Sequence, residues 1–356
     1  MRKTISIIAL MLIVLITFSC KKEGDKMIVN GTETFKSEEL FSNRDKETTT
    51  NLIYKNKSII IEDNSKRAIY QSKAIEMERF SELVLSYNVE DLEDGSLAFL
   101  VAVGDGTNFG DFYTMAIAMT DNNRSSSTNG DDYGKVSIDT LINKDINNNY
   151  IILRAVFNPG KNIKLKNITI TSVRENSSLS FDESKLINKT LAVTPISQLD
   201  IPNIGNIICS PTSVTMVLDY YGYQFSPEDV AKKVKDVSAN IYGNWTFNAS
   251  YPGSFSDLIS YVEYIDNFDK VVDYIKNDIP VIFSIKTTAI TDLTGAIMSY
   301  PSGHLVVLIG FEKIDGSWYG IFNDPAEYSA DKVLRKYSLE QVLTAWRQYT
   351  YIIIKK

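Results

Sequence analysis

The chain has a single histidine, His304, at the head of Gly303-His304-Leu305-Val306-Val307. It has two cysteines, and one of them, Cys209, stands directly before Ser210-Pro211. A carboxylate follows in Asn323-Asp324-Pro325. These types suit nucleophilic catalysis. A thiol attacks as its thiolate, and a helix N-terminus with an imidazolium nearby lowers its pKa. The imidazole then protonates a leaving amine. A third polar group fixes the ring tautomer by accepting the other ring N–H, which Asp324 does where the two strands are neighbours. An oxyanion needs donors, and the amides at the helix start together with Gln198 upstream supply them. A histidine at a strand start is by itself more often structural, so the pairing with one thiol and one acid carries the reading. One His and one available thiol cannot build the usual zinc tetrahedron, and no cofactor is expected.

The elements around these residues are legible. Pro211 to Tyr221 has helical spacing, with Val214, Val217, Leu218 and Tyr221 on one face. Ser210 is expected to cap it, Pro211 to take the first helical position and Gly222 to end it. Ser226-Pro227-Glu228-Asp229 opens a second helix through Val234, and Phe268 to Lys276 reads as a third. Strand signals follow at 280–285, 304–312, 318–324 and 349–355, and Ser338-Leu339-Glu340-Gln341 reads as a capping box for a helix to Trp346. Helices followed by an antiparallel sheet predict an α+β domain over 191–356.

Upstream, short runs rich in β-branched and aromatic residues stand at 83–89, 97–103, 112–119, 135–141, 150–157 and 163–173. Gly, Asn and Asp clusters separate them, which predicts a β-sandwich over 38–174. The polar stretch 120–134 reads as a solvated loop. Its carboxylates lack the fixed spacing of a calcium loop. A polar connector, 175–190, divides the two domains.

The N-terminus is of another kind. Met1-Arg2-Lys3 is basic, Thr4 to Phe18 is uncharged and apolar, and Ser19-Cys20 follows. The apolar run is short for a membrane span. The pattern reads as an export signal over 1–20 whose Thr17-Phe18-Ser19-Cys20 resembles a bacterial lipobox, with Cys20 lipidated and 21–37 a tether. That places the protein outside the cytoplasm, anchored in the membrane through its lipid. It also leaves Cys209 without a partner for an internal disulfide. Of 356 residues, 44% are hydrophobic and 23% charged, as in a soluble chain of two or three domains, and the net charge of -7 argues against nucleic acid as main partner.

Gln198, Cys209-Ser210-Pro211-Thr212-Ser213, Gly303-His304-Leu305-Val306-Val307 and Asn323-Asp324-Pro325 together resemble the papain-like cysteine peptidases that process bacteriocin leaders. More narrowly they resemble the exported C39-like branch, as do Gly243 to Asn248 and the order of the β-rich front domain, including 112–141. The resemblance implies a papain-like fold for 191–356. It also implies Cys209 as nucleophile, His304 as base, Asp324 as orienting carboxylate and Gln198 as oxyanion donor. The chain departs from the transporter-linked members in Ser210, where they carry Gly, and in the insert-like stretch 199–208 between Gln198 and Cys209.

Two readings stand. One is a lipid-anchored cysteine peptidase or amidase acting on a peptide or protein, with thioester transfer to water or to an amine both open. The other is a catalytically silent binding protein of the cell envelope, whose β-sandwich holds a glycan or protein. Trp245 reads as packing before substrate wall.

Overall fold

The computed structural model describes residues 27–356 apart from 91, 93, 94, 120–123 and 160–162. The expected signal segment 1–20, its Cys20 and the first part of the tether lie outside the described residues. The rest of the expected tether is strand and helix: Thr32–Lys36 pairs with Lys164–Arg174, and Ser37–Ser42 is a short helix.

The front region is built from two sheets. In the first, Tyr150–Asn158 runs between Ser96–Gly104 and the short strands Ile75–Met77 and Ala68–Gln71. In the second, two eleven-residue strands, Phe80–Glu90 and Lys164–Arg174, pair antiparallel along their length. Alternate burial over 96–101 and 150–155 fits sheets with one face on a core, and the ends of both strands, 101–104 and 155–157, are buried on both faces.

Phe80–Glu90 breaks that alternation, since every residue from Leu83 to Val89 is buried. Its second face is covered by the C-terminal region, and its polar residues bond across the seam. Asn88 Nδ2 donates to the Ser260 carbonyl at 2.6 Å and its Oδ1 accepts from the Ser260 amide at 3.2 Å. Ser86 Oγ accepts from Val262 N at 3.2 Å, and Thr171 Oγ1 donates to Val262 O at 2.6 Å. These side chains do what a neighbouring strand's backbone would do, so the backbone groups of Ser260 and Val262 that face the seam are satisfied, while the Ser260 hydroxyl beside them has no partner. Gly253 makes room for the contact, because a Cβ there would stand 2.1 Å from Asn88 Nδ2.

The C-terminal region is a third antiparallel sheet in the order Leu258–Tyr264, Trp346–Lys355, Val281–Ile285, His304–Ile314, Ser317–Asn323 and Leu334–Ser338. Lys189–Thr190 adds to the His304 strand, so the end of the expected connector belongs to this sheet. The helix Cys209–Tyr220 packs on the His304 strand and is buried on nearly all sides from Ser210 to Leu218. Val214, Met216, Val217 and Leu218 are fully enclosed, each worth about 1.5–3 kcal/mol of apolar burial.

Several local expectations are corrected. The run 135–141 is not one strand but a hairpin, Gly134–Ile138 and Thr140–Asn143, turning tightly at Ile138-Asp139. Ile138 takes φ 63°, an uncommon backbone for a β-branched residue, and no glycine flagged the turn. Part of the expected 120–134 loop forms the strands Arg124–Ser125 and Ser127–Gly130, and Val237 N donates to Arg124 O at 2.7 Å. The strand Leu258–Tyr264 and the helix Trp245–Ser250 carried no periodic signal long enough to find. Ser338 precedes its helix, Leu339–Ala345, but makes no side-chain cap. Gln341 instead bridges to Thr291 and Thr294.

Candidate active site

Cys209 is the first residue of its helix, and the first helical bond runs from Thr212 N to Ile208 O at 3.0 Å. Ile208 precedes the helix without a side-chain cap, which corrects the expected Ser210 cap. Ser210 Oγ instead lies 3.0 Å from Tyr351 Oη. Pro211 stands third in the helix, not first. It is tolerated there because first-turn amides have no helical acceptor. Ser213 Oγ donates to Leu305 O at 3.1 Å, which ties the helix to the residue after the histidine.

His304 begins its strand opposite Ile285, and Gly303 at φ 94° turns the chain into it. The ring is buried, and its Nε2 lies 2.7 Å from Asp324 Oδ1. That leaves Nδ1 for Cys209. Asp324 follows the end of Ser317–Asn323, the neighbouring strand, as the sequence required. It is 1% exposed, and four donors converge on it. Oδ1 also accepts from Ala326 N at 3.0 Å, and Oδ2 accepts from Tyr300 Oη at 3.1 Å and Tyr337 Oη at 2.7 Å. Tyr300 does more than donate, because its ring stacks on the imidazole at 4.0 Å between centroids and 15° between planes. Its amide donates to Thr287 Oγ1 at 2.7 Å, which closes the loop in front of the histidine.

The electrostatics follow from this packing. Burial opposes charge on all three groups. For Cys209 the imidazolium charge, its hydrogen bond and the Leu305 amide outweigh burial and hold the thiol below its ordinary value. For His304, burial is outweighed by Asp324 and then Cys209, which raise it to about 10. Asp324 is held low, against its own burial, by His304, Tyr337 and the Ala326 amide. Burial and the Asp324 charge push both phenols well above their usual range, so they remain donors. The arrangement favours a thiolate–imidazolium pair with a fixed ring.

Gln198 sits beside this group but is held differently from the expected free donor. It is buried, its backbone N–H donates to Pro325 O at 2.9 Å, and neighbouring Ser197 Oγ donates to Glu327 O at 2.6 Å. The stretch 199–208 folds back through Gly205–Ile207, so Gln198 Nε2 donates to Gly205 O at 2.7 Å. One N–H of that amide is therefore occupied, and Oε1 has no partner. Gly205 permits the approach, since a Cβ would lie 2.5 Å from Gln198 O. Trp245 packs against Tyr349 at 4.4 Å between centroids with the rings tilted by 40°, carries the Arg347 guanidinium at 5.2 Å, and donates its backbone N–H to Asp139 Oδ2 at 2.6 Å. Among the described residues no group of three His, Cys, Asp or Glu side chains could hold a metal ion. Also among them, no helix is long and apolar enough to cross a membrane.

Sequence reasoning missed Tyr300 and Tyr337, because an aromatic near a histidine has no distinguishing signal until the loop is folded. It also missed Asp139, whose carboxyl is pushed up to about 6 by burial and lies in the hairpin read as a strand.

Residues 190–354 match the Peptidase_C39 like family. The C-terminal region is thus C39-like in sequence, and the front region lies outside the match. Among solved structures, a C39-like peptidase from Bacillus anthracis is 17% identical, with TM-score 0.36, over 48% of this chain and 98% of its own. The C-terminal CBM6 of LamC, a marine laminarinase from Zobellia galactanivorans, is 14% identical, with TM-score 0.22, over 40% of this chain and all of its own. No curated protein matches the chain.

Proposed function

We propose that this protein is a cysteine peptidase or amidase, exported and anchored through a lipidated Cys20, with a papain-like C-terminal domain and a β-sandwich in front. The observation that supports it most is the junction of one thiol, one imidazole and one carboxylate inside the C39-like region. Cys209 Sγ attacks the substrate carbonyl as thiolate and forms a tetrahedral oxyanion. Amides of the first helical turn and the second N–H of Gln198 donate to that oxygen. The His304 imidazolium gives its proton to the departing amine, leaving a thioester on Cys209. The neutral ring then takes a proton from water as it attacks, and the collapsing intermediate releases the acid and restores the pair. Asp324 holds the ring throughout. The substrate is a peptide or protein, with no cofactor and no nucleic acid.

Alkylation of Cys209 by iodoacetamide across pH tests this reading. Fast labelling at neutral pH, abolished with peptide hydrolysis by His304→Ala, supports it. Labelling with an ordinary thiol profile near 8.5 leaves the silent binding protein instead. For the anchor, mass spectrometry of the mature N-terminus is expected to show a modified Cys20, and an intact Met1 overturns it.

A further inference from the structure

Glu327 is a buried carboxylate that the mechanism leaves unused. It is 1% exposed, and its Oε1 forms an ion pair with Arg335 Nη2 and accepts no hydrogen bond from elsewhere. Arg335 stands opposite Phe322 on Leu334–Ser338, two residues before Tyr337. Its side chain therefore leaves the same face of the strand as the phenol that donates to Asp324. Burial and Asp324 raise the Tyr300 phenol, and the Glu327 charge adds to the rise. Burial and Asp324 likewise raise Tyr337, and the Arg335 charge opposes them. The pair thus lies within reach of both tyrosines that hold the orienting acid.

The pair also fastens the turn on which Gln198 rests. Ala326 N donates to Asp324 Oδ1 at 3.0 Å. Pro325 O accepts the Gln198 backbone N–H at 2.9 Å, and Glu327 O accepts Ser197 Oγ at 2.6 Å. Four consecutive residues, Asp324 to Glu327, therefore carry the orienting carboxylate, two anchors for the Ser197-Gln198 segment and one half of an ion pair. The Gln198 side chain bonds only to Gly205 O, which belongs to its own stretch of chain. The hydrogen bonds that place Gln198 against Asp324 are the two anchors. Asp324 N donates to Val333 O at 2.8 Å and closes the loop at its base, so the ion pair is the fastening at the Glu327 end. A buried carboxylate is costly, and apolar residues of similar volume are often as stable as a buried pair. What a paired carboxylate and guanidinium add is a fixed direction.

We infer that Glu327 and Arg335 are positioning residues: their ion pair holds the Asp324–Glu327 turn so that the Gln198 side chain meets the oxyanion formed at Cys209. The inference rests on the proposed thiol chemistry for there being an oxyanion to meet.

Two reagents test it on the full chain, with Cys209→Ala as the blank. With iodoacetamide, Sγ displaces iodide from a saturated carbon and no oxyanion forms. With p-nitrophenyl acetate, Sγ adds to the carbonyl, and the tetrahedral oxyanion collapses by expelling p-nitrophenolate to leave acetyl-Cys209. Glu327→Gln is expected to slow acylation about ten- to a hundredfold and to leave alkylation within about twofold. Arg335→Lys keeps the charge and should retain more acylation than Arg335→Met. Glu327→Leu combined with Arg335→Met removes the pair without stranding a buried charge, so it should stay folded and still acylate slowly. Gln198→Ala should slow acylation about 10²–10³-fold. Adding Glu327→Gln to Gln198→Ala should then cost little more, because the pair has nothing left to position. Unchanged acylation in Glu327→Gln or in the Leu/Met variant would overturn the inference. So would equal slowing of both reactions, full additivity with Gln198→Ala, or a Gln198→Ala that acylates normally. A Cys209 that alkylates as an ordinary thiol in the natural protein removes the thiol reading and the inference with it. A reactive Cys209 indifferent to Glu327 removes the inference alone, so the two failures are told apart.

Discussion

The front and C-terminal regions both bury polar residues, and they do so to different ends. In the front region Ser86, Asn88 and Thr171 are all nearly inaccessible and face the seam. Their partners are backbone groups of Ser260 and Val262 in the other region. In the C-terminal region His304, Asp324, Tyr300 and Tyr337 gather beside one thiol, and apart from the Ala326 amide on Asp324 they bond through one another's side chains. Backbone partners have no other state to adopt, so the first set joins. The imidazole and thiol of the second set titrate against each other while the two phenols stay donors to Asp324, so the second set is suited to chemistry. The comparison breaks if mutations at the seam change the chemistry as much as mutations at the thiol.

The largest effect is expected at the thiol. Cys209→Ala should abolish hydrolysis, and His304→Ala should cost about 10²–10⁴-fold in kcat, since no second imidazole exists to replace it. Both are read from initial rates on a responsive peptide, and retained activity in either sinks the mechanism. Asp324→Ala carries a second penalty. It leaves a buried imidazolium without its partner, so about 3–5 kcal/mol of stability should go with the activity. Denaturant unfolding separates the two losses.

Seam variants should behave in the opposite way. Asn88→Ala leaves the buried Ser260 amide and carbonyl unpaired and should cost about 1–3 kcal/mol of stability. Gly253→Ala forces a methyl against Asn88 and should cost about 1–3 kcal/mol. In each, kcat of the folded fraction should match the natural protein. Proteolytic nicking within 175–188 should leave the two pieces associated on size exclusion, because the seam and the Arg174–Asp266 ion pair hold them without the connector. Separation of the pieces would mean that the seam is weaker than its hydrogen bonds suggest.

The sequence showed some of this and hid the rest for physical reasons. Long apolar strands such as 304–312 and 150–157 declare themselves, because burial dictates their composition. The thiol, imidazole and carboxylate were legible because rare types in fixed order carry information: the chain has one His and two Cys. The seam was not legible. Asn88 and Ser86 sit in a strand pattern where polar residues normally face water, and only the partner region explains their burial. The Ile138-Asp139 turn was hidden because its strained residue is not glycine. The hold on Gln198 depends on how 199–208 folds back, which no local propensity sets.

The finest distinction concerns Tyr300 and sharpens the comparison, since this residue is both packing and chemistry. Tyr300→Phe keeps the ring on His304 but removes a donor from Asp324 Oδ2, while Tyr337 still supplies one. A charge-assisted hydrogen bond contributes about 1.5–3 kcal/mol, so kcat should fall about ten- to a hundredfold with KM little changed. The pH profile gives the sign. His304 is raised to about 10, above its unfolded value, so the pair's stabilisation is full below the unfolded imidazole pKa and is lost as pH rises through about 10. Cys209 is lowered, so its share is present above the unfolded thiol pKa and is lost as pH falls through the depressed one. Activity should therefore span the window between the depressed thiol pKa and about 10. With one donor fewer, the Asp324 carboxylate keeps more of its negative charge for the imidazolium, and the alkaline limb should move upward in Tyr300→Phe. Tyr300→Ala also removes the stacked ring and admits water, which weakens the ion pair and should move the same limb down. Equal alkaline limbs in the two variants would make Tyr300 a packing residue only, with no part in setting the charge of the ring it covers.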